Sequence, residues 1–270
     1  MQIQDKEALP AFTFCQGKIM KIVWSASYPK SGNTFIRMLL HTYLFGKSQD
    51  TEEVGRRIPD IHQILPQKRV LESHRDQRIF VKTHFCLAGN HPYVEATAGC
   101  IYILRNPRDV LLSNARYLGA SGNLDELRKF SMAFINNFGV PRWRQMKMGS
   151  WPEHLASWLH STNSVPHIFI KYEDLRIDTA NTLKSVISFL GEECDDSRIQ
   201  LAVDHCAIDE ARKFELEEKR QGRKNIYVDL PDNASFVGEG KIAQSLTYIG
   251  EDIETLYQEK FGKFVHLFGY

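Results

Sequence analysis

The chain has 270 residues, with 34 basic and 33 acidic side chains and a formal net charge of +1. This balance excludes a whole-protein attraction to nucleic acid or to an anionic membrane, so we expect neither as a partner. Five cysteines without C-x-x-C spacing argue against a disulfide framework or a zinc site and favour reduced thiols in the cytoplasm. The first residues, MQIQDKEALPAFTF, lack the basic-then-apolar pattern of a secretory signal, so we expect no leader. No apolar run approaches the roughly 20 residues needed to cross a bilayer.

Along the chain, β-rich runs alternate with helical patterns. We predict strands at residues 22–27, 78–84, 101–104 and 167–172, and helices at residues 35–45, 106–117 and 179–190. Asn106 is a good N-cap, Pro107 suits the first helical position, and Gly191 ends the last helix. This alternation predicts a single α/β domain over residues 1–270, with a central, mainly parallel sheet flanked by helices.

Two segments, about 117–151 and 215–242, have weak periodicity. The first is rich in aromatic and basic residues, and the second is rich in charge and glycine. We interpret them as lids or acceptor-binding insertions over the strand ends, with ordinary surface excursions as the alternative. Because ligands of parallel sheets bind beyond the carboxyl ends of the strands, the residues that follow each strand are the first candidates for chemistry.

The first such candidate is YPKSGNT at residues 28–34, between a strand and a helix. A glycine-containing loop at a helix start can turn backbone N–H groups toward an anion, and Lys30 adds a full positive charge. Neutral donors are supplied by Ser31, Asn33 and Thr34. The loop is not a Walker A sequence, because no G-x-x-x-x-G-K-[ST] occurs. It predicts a P-loop-like phosphate-binding loop, with a plain strand–helix turn as the alternative.

The second candidate is RNPRDVLLS at residues 105–113, directly after the third predicted strand. The planar guanidinium of Arg105 suits bidentate binding of a phosphate, and Ser113 lies about two turns into the next helix, where it can donate a second bond. The alternative is a surface Arg105 paired with Asp109, beside a capping Asn106.

The third candidate is Lys82-Thr83-His84 at the end of the second predicted strand. Side chains two apart in a strand share a face, so Lys82 and His84 are expected on one side and Thr83 on the other. A neighbouring cation disfavours the imidazolium, which would keep His84 neutral and usable as a base. The alternative is a surface histidine without a role in chemistry.

Taken together, these three motifs resemble the family of sulfotransferases that use 3′-phosphoadenylyl sulfate (PAPS), in its soluble, cytosolic-type branch. YPKSGNT looks like the family's 5′-phosphosulfate loop, RNPRDVLLS like its 3′-phosphate motif, and VKTH like its catalytic strand. Two weaker features follow in order, GSW at residue 149 and IKYEDL at residue 170. The resemblance covers roughly residues 20–245.

The resemblance implies a role for individual residues. The residues that would hold the 5′-phosphosulfate are Lys30, Ser31, Gly32, Asn33 and Thr34. Those that would bind the rest of the nucleotide are Phe35 against adenine, Arg105 and Ser113 at the 3′-phosphate, and Tyr172. His84 would be the general base for in-line attack of an acceptor hydroxyl on sulfur, and Lys30 and Lys82 would stabilise the charge on the bridging oxygen. This scheme requires no metal.

One family feature is degraded here. Many members carry Arg-Lys-Gly near the C-terminal side, closing on the 3′-phosphate, and the matching positions are Gly238, Glu239 and Gly240. We expect Lys241 and the backbone N–H groups around the two glycines to substitute. The alternative cations are Arg220, Arg223 and Lys224. The short dimerisation sequence of animal members is not evident, so the oligomeric state stays open.

Other functions remain as alternatives. A P-loop-type kinase acting on a nucleotide or small metabolite shares the strand–loop–helix layout, with Glu173 and Asp174 as the best remnant of its metal-binding acid. A non-catalytic binder and a carbohydrate sulfotransferase are the others. For the acceptor we expect a small hydroxyl compound, with a flat or apolar shape if the aromatic residues of the first weakly periodic segment line its pocket rather than a packed core. Those residues are Tyr117, Phe134, Phe138, Trp143 and Trp151.

Overall fold

The computed structural model describes residues 21–67, 78–88, 91–161, 164–222 and 236–270. Within these residues a parallel sheet has the strand order β2-β1-β3-β4. Its strands are β1 (Lys21–Ala26), β2 (Arg78–Thr83), β3 (Thr97–Leu104) and β4 (His167–Lys171). The predicted α/β class with a central parallel sheet is therefore confirmed. The third strand begins at Thr97 rather than at residue 101, and the fourth ends at Lys171 rather than at residue 172.

Helices flank this sheet. Those in the described residues are α1 (Asn33–Phe45), α2 (Thr51–Arg57), α3 (Ile61–Gln67), α4 (Pro107–Tyr117), α5 (Leu124–Asn136), α6 (Pro141–Gln145), α7 (Trp151–Leu159), α8 (Tyr172–Ile177), α9 (Thr179–Phe189), α10 (Asp196–His205), α11 (Ile208–Arg220) and α12 (Glu251–Leu267). The Asn106 side chain caps α4 as predicted, since it accepts the Arg108 N–H at 3.0 Å. None of these helices combines the length and apolar character that a membrane crossing requires.

The sheet separates two hydrophobic clusters. Alternate residues of β1 point to opposite faces of the sheet, so Ile22, Trp24 and Ala26 belong to one cluster and Val23 belongs to the other. The central strands are buried on both faces, as expected when helices cover both faces of a parallel sheet. A sheet that is packed on both faces provides rigid support for the loops at its carboxyl edge.

The first weakly periodic segment is more regular than the sequence predicts, because it contains α5 and α6. On α5, Phe134 stacks on Phe261 of α12 at 6.0 Å between ring centroids. Phe138 and Trp151 also contact the Phe261 ring. For these three aromatics the structure supports the packed-core alternative, because they pack around α12 and are not on the wall of the cavity described below.

The second segment begins inside a regular element. Residues 215–220 are the last turns of α11, and residues 236–242 form an irregular stretch without helix or strand. Residues 223–235, including the candidate cations Arg223 and Lys224, lie outside the described residues.

Candidate active site

All four strands point their carboxyl ends at one edge of the sheet, where a cavity of about 570 Å³ opens. The predicted site residues that line it are Lys30, Gly32, Asn33, Thr34, Phe35, Lys82, His84, Arg105, Ser113, Tyr172, Gly240 and Lys241. Ser31 is buried and lies beside the cavity rather than on its wall. The structure thus brings together residues that are far apart in the sequence.

The loop after β1 is built around Gly32, which precedes α1. Its φ of +99° lies in the left-handed region that favours glycine, and a Cβ there would lie 2.2 Å from Tyr172 Cδ2. Lys30 also has a positive φ, +70°, which is uncommon for a residue with a side chain. Strained backbone of this kind is typical of functional loops.

The start of α1 presents backbone donors to the cavity. Within the described residues, the structure gives no hydrogen-bond acceptor for the backbone N–H groups of Gly32, Asn33 and Thr34, whereas the Phe35 N–H bonds to the Gly32 carbonyl at 3.0 Å. Open N–H groups at a helix start, combined with the positive end of the helix dipole, favour an anion. These groups make the loop suitable for phosphate.

The Asn33 side chain was predicted to donate to an anion, but in the structure it bonds to the protein itself. Its Nδ2 donates to the Ser25 carbonyl at 2.9 Å and to Ser27 Oγ at 3.2 Å, and its Oδ1 accepts the Ser25 hydroxyl at 3.0 Å. The amide therefore ties the loop to the end of β1, and its donors are used within the protein. Asn33 can serve an anion through its backbone N–H rather than through its side chain.

Lys30 places its ammonium between two rings. Nζ lies 4.2 Å from the centroid of Tyr117 and 3.9 Å from that of Phe236. Burial lowers the pKa of Lys30 to about 7, and the charges of Arg116 and Arg105 contribute to the same direction. The lysine therefore titrates near neutral pH in the protein alone, whereas an ordinary lysine stays charged there.

Arg105, directly after β3, is 7% exposed and is not the surface arginine of the alternative reading. Its Nη1 donates to the Lys30 carbonyl at 2.9 Å and its Nη2 to the Lys241 carbonyl at 3.0 Å, while Nε is buried without a partner among the described residues. The pairing with Asp109 does not occur, because Asp109 accepts the N–H groups of Ala243 and Gln244.

Aromatic rings frame the Arg105 side of the cavity. The Arg105 guanidinium lies 4.1 Å from the centroid of Tyr172, and Arg176 lies 5.5 Å from that of Phe35. Ser113, on the cavity side of α4, is 8% exposed. An aromatic and cationic wall of this kind can bind a nucleobase beside a phosphate.

Lys82 and His84 face the same cavity, whereas Thr83 is buried and contacts His91 on the other side. The Lys82 ammonium forms an ion pair with Asp60 Oδ2. Asp60 reaches it because residues 59–60 pair with β2, and the Lys82 N–H donates to the Pro59 carbonyl at 2.8 Å. A carboxylate thus lies at the base of the cavity, next to the lysine.

The hydrogen bonds of His84 define its tautomer. Nδ1 lies 2.7 Å from the Ser27 carbonyl, which can only accept, so Nδ1 carries the proton and Nε2 of the neutral ring keeps its lone pair. Burial, and then the charge of Lys82, hold the pKa of His84 well below its ordinary value of 6.5. The ring is therefore neutral at physiological pH, and the structure gives its Nε2 no hydrogen-bond partner among the described residues.

The 236–242 segment closes one side of the cavity. Lys241 Nζ is paired with Glu239, so the lysine expected to replace the missing basic residues is neutralised by its neighbour. The segment's other contribution is the Lys241 carbonyl, which accepts from Arg105. Arg220 pairs with Glu217 on α11 and is not on the cavity wall, which removes it as a substitute cation.

Other charged residues on the cavity wall escaped the sequence analysis. They are Arg37, Asp60, Arg116 and Arg176. Arg116 follows Ser113 by three positions and Arg176 follows Tyr172 by four, so helical spacing from predicted site residues could have found both. Asp60 offers no such pattern, because only its pairing with β2 brings it to the site.

No cluster of histidine, cysteine or acidic side chains able to hold a metal occurs in the described parts of the chain. Glu173, the candidate metal-binding acid, accepts the Asn106 N–H at 2.9 Å and is not on the cavity wall. Burial raises its pKa. The fold and the geometry together define an α/β protein with a P-loop-like phosphate-binding loop at its strand ends.

Comparison with known proteins identifies the family. The family model for the sulfotransferase domain matches residues 21–267. The chain therefore belongs to the sulfotransferase family, which confirms the predicted family and enzyme class.

Several sulfotransferases are similar in sequence. Mouse sulfotransferase 4A1 is 24% identical, with 93% of this chain and 87% of that protein covered. Human sulfotransferase 2A1 is also 24% identical, with 87% of this chain and 82% of that protein covered.

Solved structures show the same fold. The complex of mouse sulfotransferase SULT7A1 with PAP has a TM-score of 0.61 at 22% identity and covers 90% of this chain and 85% of that chain. A complex of retinol dehydratase with androsterone and the inactive cofactor PAP also has a TM-score of 0.61, at 18% identity, with 90% of this chain and 80% of that chain covered.

Proposed function

We propose that this protein transfers a sulfuryl group from PAPS to a hydroxyl of a small acceptor, with His84 as general base. The observation that carries the proposal is the convergence of Lys30, Arg105 and His84 on one cavity at the carboxyl edge of the sheet. The first two supply positive charge and the third supplies a neutral imidazole. A doubly phosphorylated nucleotide that carries a transferable group requires both properties.

The cavity fits such a nucleotide. Open backbone donors at Gly32, Asn33 and Thr34 suit the 5′-phosphosulfate, and the unpartnered Nε of Arg105 with Ser113 suits the 3′-phosphate. Phe35 and Tyr172 supply the aromatic surface for adenine. Solved relatives of the same fold contain PAP, the desulfated form of this nucleotide. When bound, PAPS supplies an activated sulfuryl group whose leaving group is a phosphate.

The chain's own residues perform the remaining steps. Nε2 of His84 accepts the proton of the acceptor hydroxyl as that oxygen attacks, and the Ser27 carbonyl fixes the ring orientation through Nδ1. The ammonium groups of Lys30 and Lys82 stabilise the negative charge that grows on the bridging oxygen. Asp60 holds Lys82 at the base of the cavity. This assignment retains the roles implied by the sequence.

The acceptor side of the cavity favours an apolar or aromatic hydroxyl compound. Tyr117, Trp143, Met146 and Met148 line it, and two of these are flexible methionines that adapt to different shapes. Solved complexes of retinol dehydratase, which has the same fold, contain androsterone in one structure and retinol in the other. A small-molecule acceptor in the cytoplasm, with neither nucleic acid nor membrane as partner, remains our expectation, and so does a mechanism without metal.

Incubation with PAPS and a panel of phenols, steroids and aliphatic alcohols tests the proposal. We expect a mass gain of one sulfuryl group on at least one acceptor, with release of PAP, and loss of this reaction in His84→Gln. A parallel incubation with ATP and magnesium tests the kinase alternative. Phosphorylation of an acceptor by ATP, without sulfuryl transfer from PAPS, would overturn the proposal.

A further inference from the structure

Arg116 is a cation of the cavity that no step above uses. It lies on α4, one helical turn after Ser113, and faces the same space. Within the described residues its guanidinium donates no hydrogen bond and has no carboxylate in ion-pairing contact. The side chain remains accessible because it borders the open cavity. Burial of part of the side chain, and then the charge of Arg105, lower its pKa, so Arg116 and Arg105 repel each other across this space.

The position of Arg116 depends on Gly238. A Cβ at Gly238 would lie 2.0 Å from Nη2 of Arg116, 2.3 Å from Nη1 and 2.4 Å from Cζ. The φ of Gly238 is not in the left-handed region, so the lack of a side chain matters here for space alone. The guanidinium occupies the volume that any side chain at residue 238 would enter first.

The backbone around Gly238 is fixed from behind by α11. Glu215 accepts the N–H groups of Phe236 at 2.7 Å and of Val237 at 2.8 Å. Arg212 Nη2 donates to the Gly238 carbonyl at 3.1 Å. These bonds hold the 236–242 segment against the guanidinium of Arg116. The niche, which is the space beside Gly238 that this guanidinium occupies, is therefore fixed by hydrogen bonds to α11.

Positive charge exceeds negative charge around this niche. Arg116 and Arg105 are the two charges that lower the pKa of Lys30 most, which places three cations around one space. Of the nearby acids, Glu239 is paired with Lys241, and Glu215 is bonded to the backbone and to Lys219. Glu239 and Glu215 offset part of this charge, since Glu239 raises the pKa of Arg116 and Glu215 raises that of Lys30, but each acid already has a partner of its own. A phosphate group bound directly to the cations would supply the remaining negative charge.

We propose that Arg116, admitted by the missing side chain at Gly238, is a binding residue of the 3′-phosphate subsite together with Arg105 and Ser113. The proposal rests on the proposed function. It assigns the third cation to α4 rather than to the 236–242 segment, where the family resemblance expects an arginine at residue 238. The glycine at residue 238 then makes room for Arg116 to bind the phosphate, so the subsite keeps a cation although the arginine at residue 238 is missing.

Isothermal titration calorimetry with two probes tests this assignment. Adenosine 3′,5′-bisphosphate carries the 3′-phosphate, and adenosine 5′-monophosphate does not. We expect Arg116→Gln to weaken bisphosphate binding about tenfold to hundredfold and to change monophosphate binding less than twofold. Arg198→Gln, which removes an equal charge from the exposed face of α10, is the matched control and should change neither affinity. Circular dichroism confirms that each variant is folded.

Gly238→Ala provides an independent test. The added methyl group displaces the flexible end of Arg116 without removing its charge, so it should weaken bisphosphate binding selectively, by less than Arg116→Gln. In the Arg116→Gln background the same alanine should have no further effect of this kind, because the group that it displaces is absent.

The outcomes separate this assignment from the proposed function. If the wild-type protein prefers the bisphosphate and Arg116→Gln keeps that preference, the Arg116 assignment is overturned and the proposed function stands. If Arg116→Gln weakens both nucleotides equally, the assignment to the 3′-phosphate is overturned as well. If the wild-type protein binds neither nucleotide, the proposed function fails, and this assignment fails with it.

Discussion

The Lys82 ammonium and the Asp60 carboxylate form an ion pair at the base of the cavity, with 13% and 9% of their side chains exposed. His62 lies beside this pair, and its ring contacts that of Phe85 at 4.1 Å between centroids with an angle of 46° between the ring planes. Lys82 follows from the sequence, but its partner does not, because Asp60 approaches through a backbone bridge to β2. The pair ties the proposed catalytic strand to the turn before α3.

We predict that breaking this pair destabilises the protein. Asp60→Asn leaves a buried ammonium without its carboxylate, and Lys82→Met leaves the carboxylate without its ammonium, each at a cost of about 3 kcal/mol at pH 7. The double variant should cost less than the sum, because no uncompensated charge remains. Urea unfolding of all four proteins measures the coupling. Strictly additive losses would contradict a direct interaction.

The same pair predicts a dependence on pH. Lys82 holds the pKa of Asp60 well below its usual range. A carboxyl with a lowered pKa stabilises the folded state above its unfolded pKa, and this contribution is lost as the pH falls below about 4. The stability difference between wild type and Asp60→Asn should therefore narrow in acid. Urea titrations at pH 7 and at about pH 3 measure it, and an undiminished difference would count against the pair.

His84→Gln should abolish transfer and preserve nucleotide binding. Loss of a positioned base reduces kcat by about 10²–10⁴-fold, whereas the affinity for adenosine 3′,5′-bisphosphate should change less than twofold. Because the pKa of His84 lies well below 6.5, the acid limb of wild-type kcat/KM should also lie below pH 6.5. Single-turnover kinetics and calorimetry provide the two readouts. Full activity in the variant would remove His84 from the mechanism.

Nucleotide binding should take up a proton at pH 8. In the protein alone the pKa of Lys30 is about 7, so at pH 8 the amine is mostly neutral. A phosphate group beside it favours the charged form, and the lysine should therefore take a proton from the buffer. Calorimetry in two buffers of different ionisation enthalpy measures close to one proton for each bisphosphate bound.

The matched control for this uptake is Lys30→Arg. A guanidinium stays charged throughout this range, so the variant should bind without proton uptake at that position. Uptake that persists in the arginine variant would assign the proton to another group. Absence of uptake in the wild-type protein would contradict the lowered pKa of Lys30.

Gly32→Ala should be more destabilising than Gly191→Ala. Both glycines have a positive φ, at +99° and +67°, but a Cβ at Gly32 would meet Tyr172 at 2.2 Å and one at Gly191 would meet nothing within 4 Å. A positive φ costs an alanine about 1 kcal/mol at either position, and the clash adds to this cost only at Gly32. Urea unfolding measures the difference. Equal losses would mean that Tyr172 moves aside freely.

The strand ends were the predictable part of this site. His84 and Tyr172 are the last residues of predicted strands, Lys30 and Arg105 come shortly after predicted strands, and parallel strands bring their carboxyl ends to one edge. The capping of α4 by Asn106 was equally accessible, because N-caps are encoded locally. These predictions needed only periodicity and chain order.

The remaining features depend on contacts between distant segments. The periodicity of α5 looked weak in the sequence, and its packing against α12 buries Phe134. The same packing determines which aromatics reach the cavity. Tyr117 and Trp143 lie on its wall, whereas Trp151 is buried in the core and Phe138 is partly buried against that core. The place of Arg116 in the site could not be predicted, because it depends on a contact with Gly238, which lies far away in the chain. Tertiary packing of this kind overrides local patterns.

The two carbonyls held by Arg105 make it a cross-link between the loop after β1 and the 236–242 segment. A guanidinium has five N–H bonds, and two are engaged here, so three remain to bind an anion. The arrival of a ligand then demands no exchange of partners within the protein. One side chain thus connects both rims of the cavity and still has donors for a ligand, so the hydrogen bonds that hold the rims together also position the group that would bind the anion.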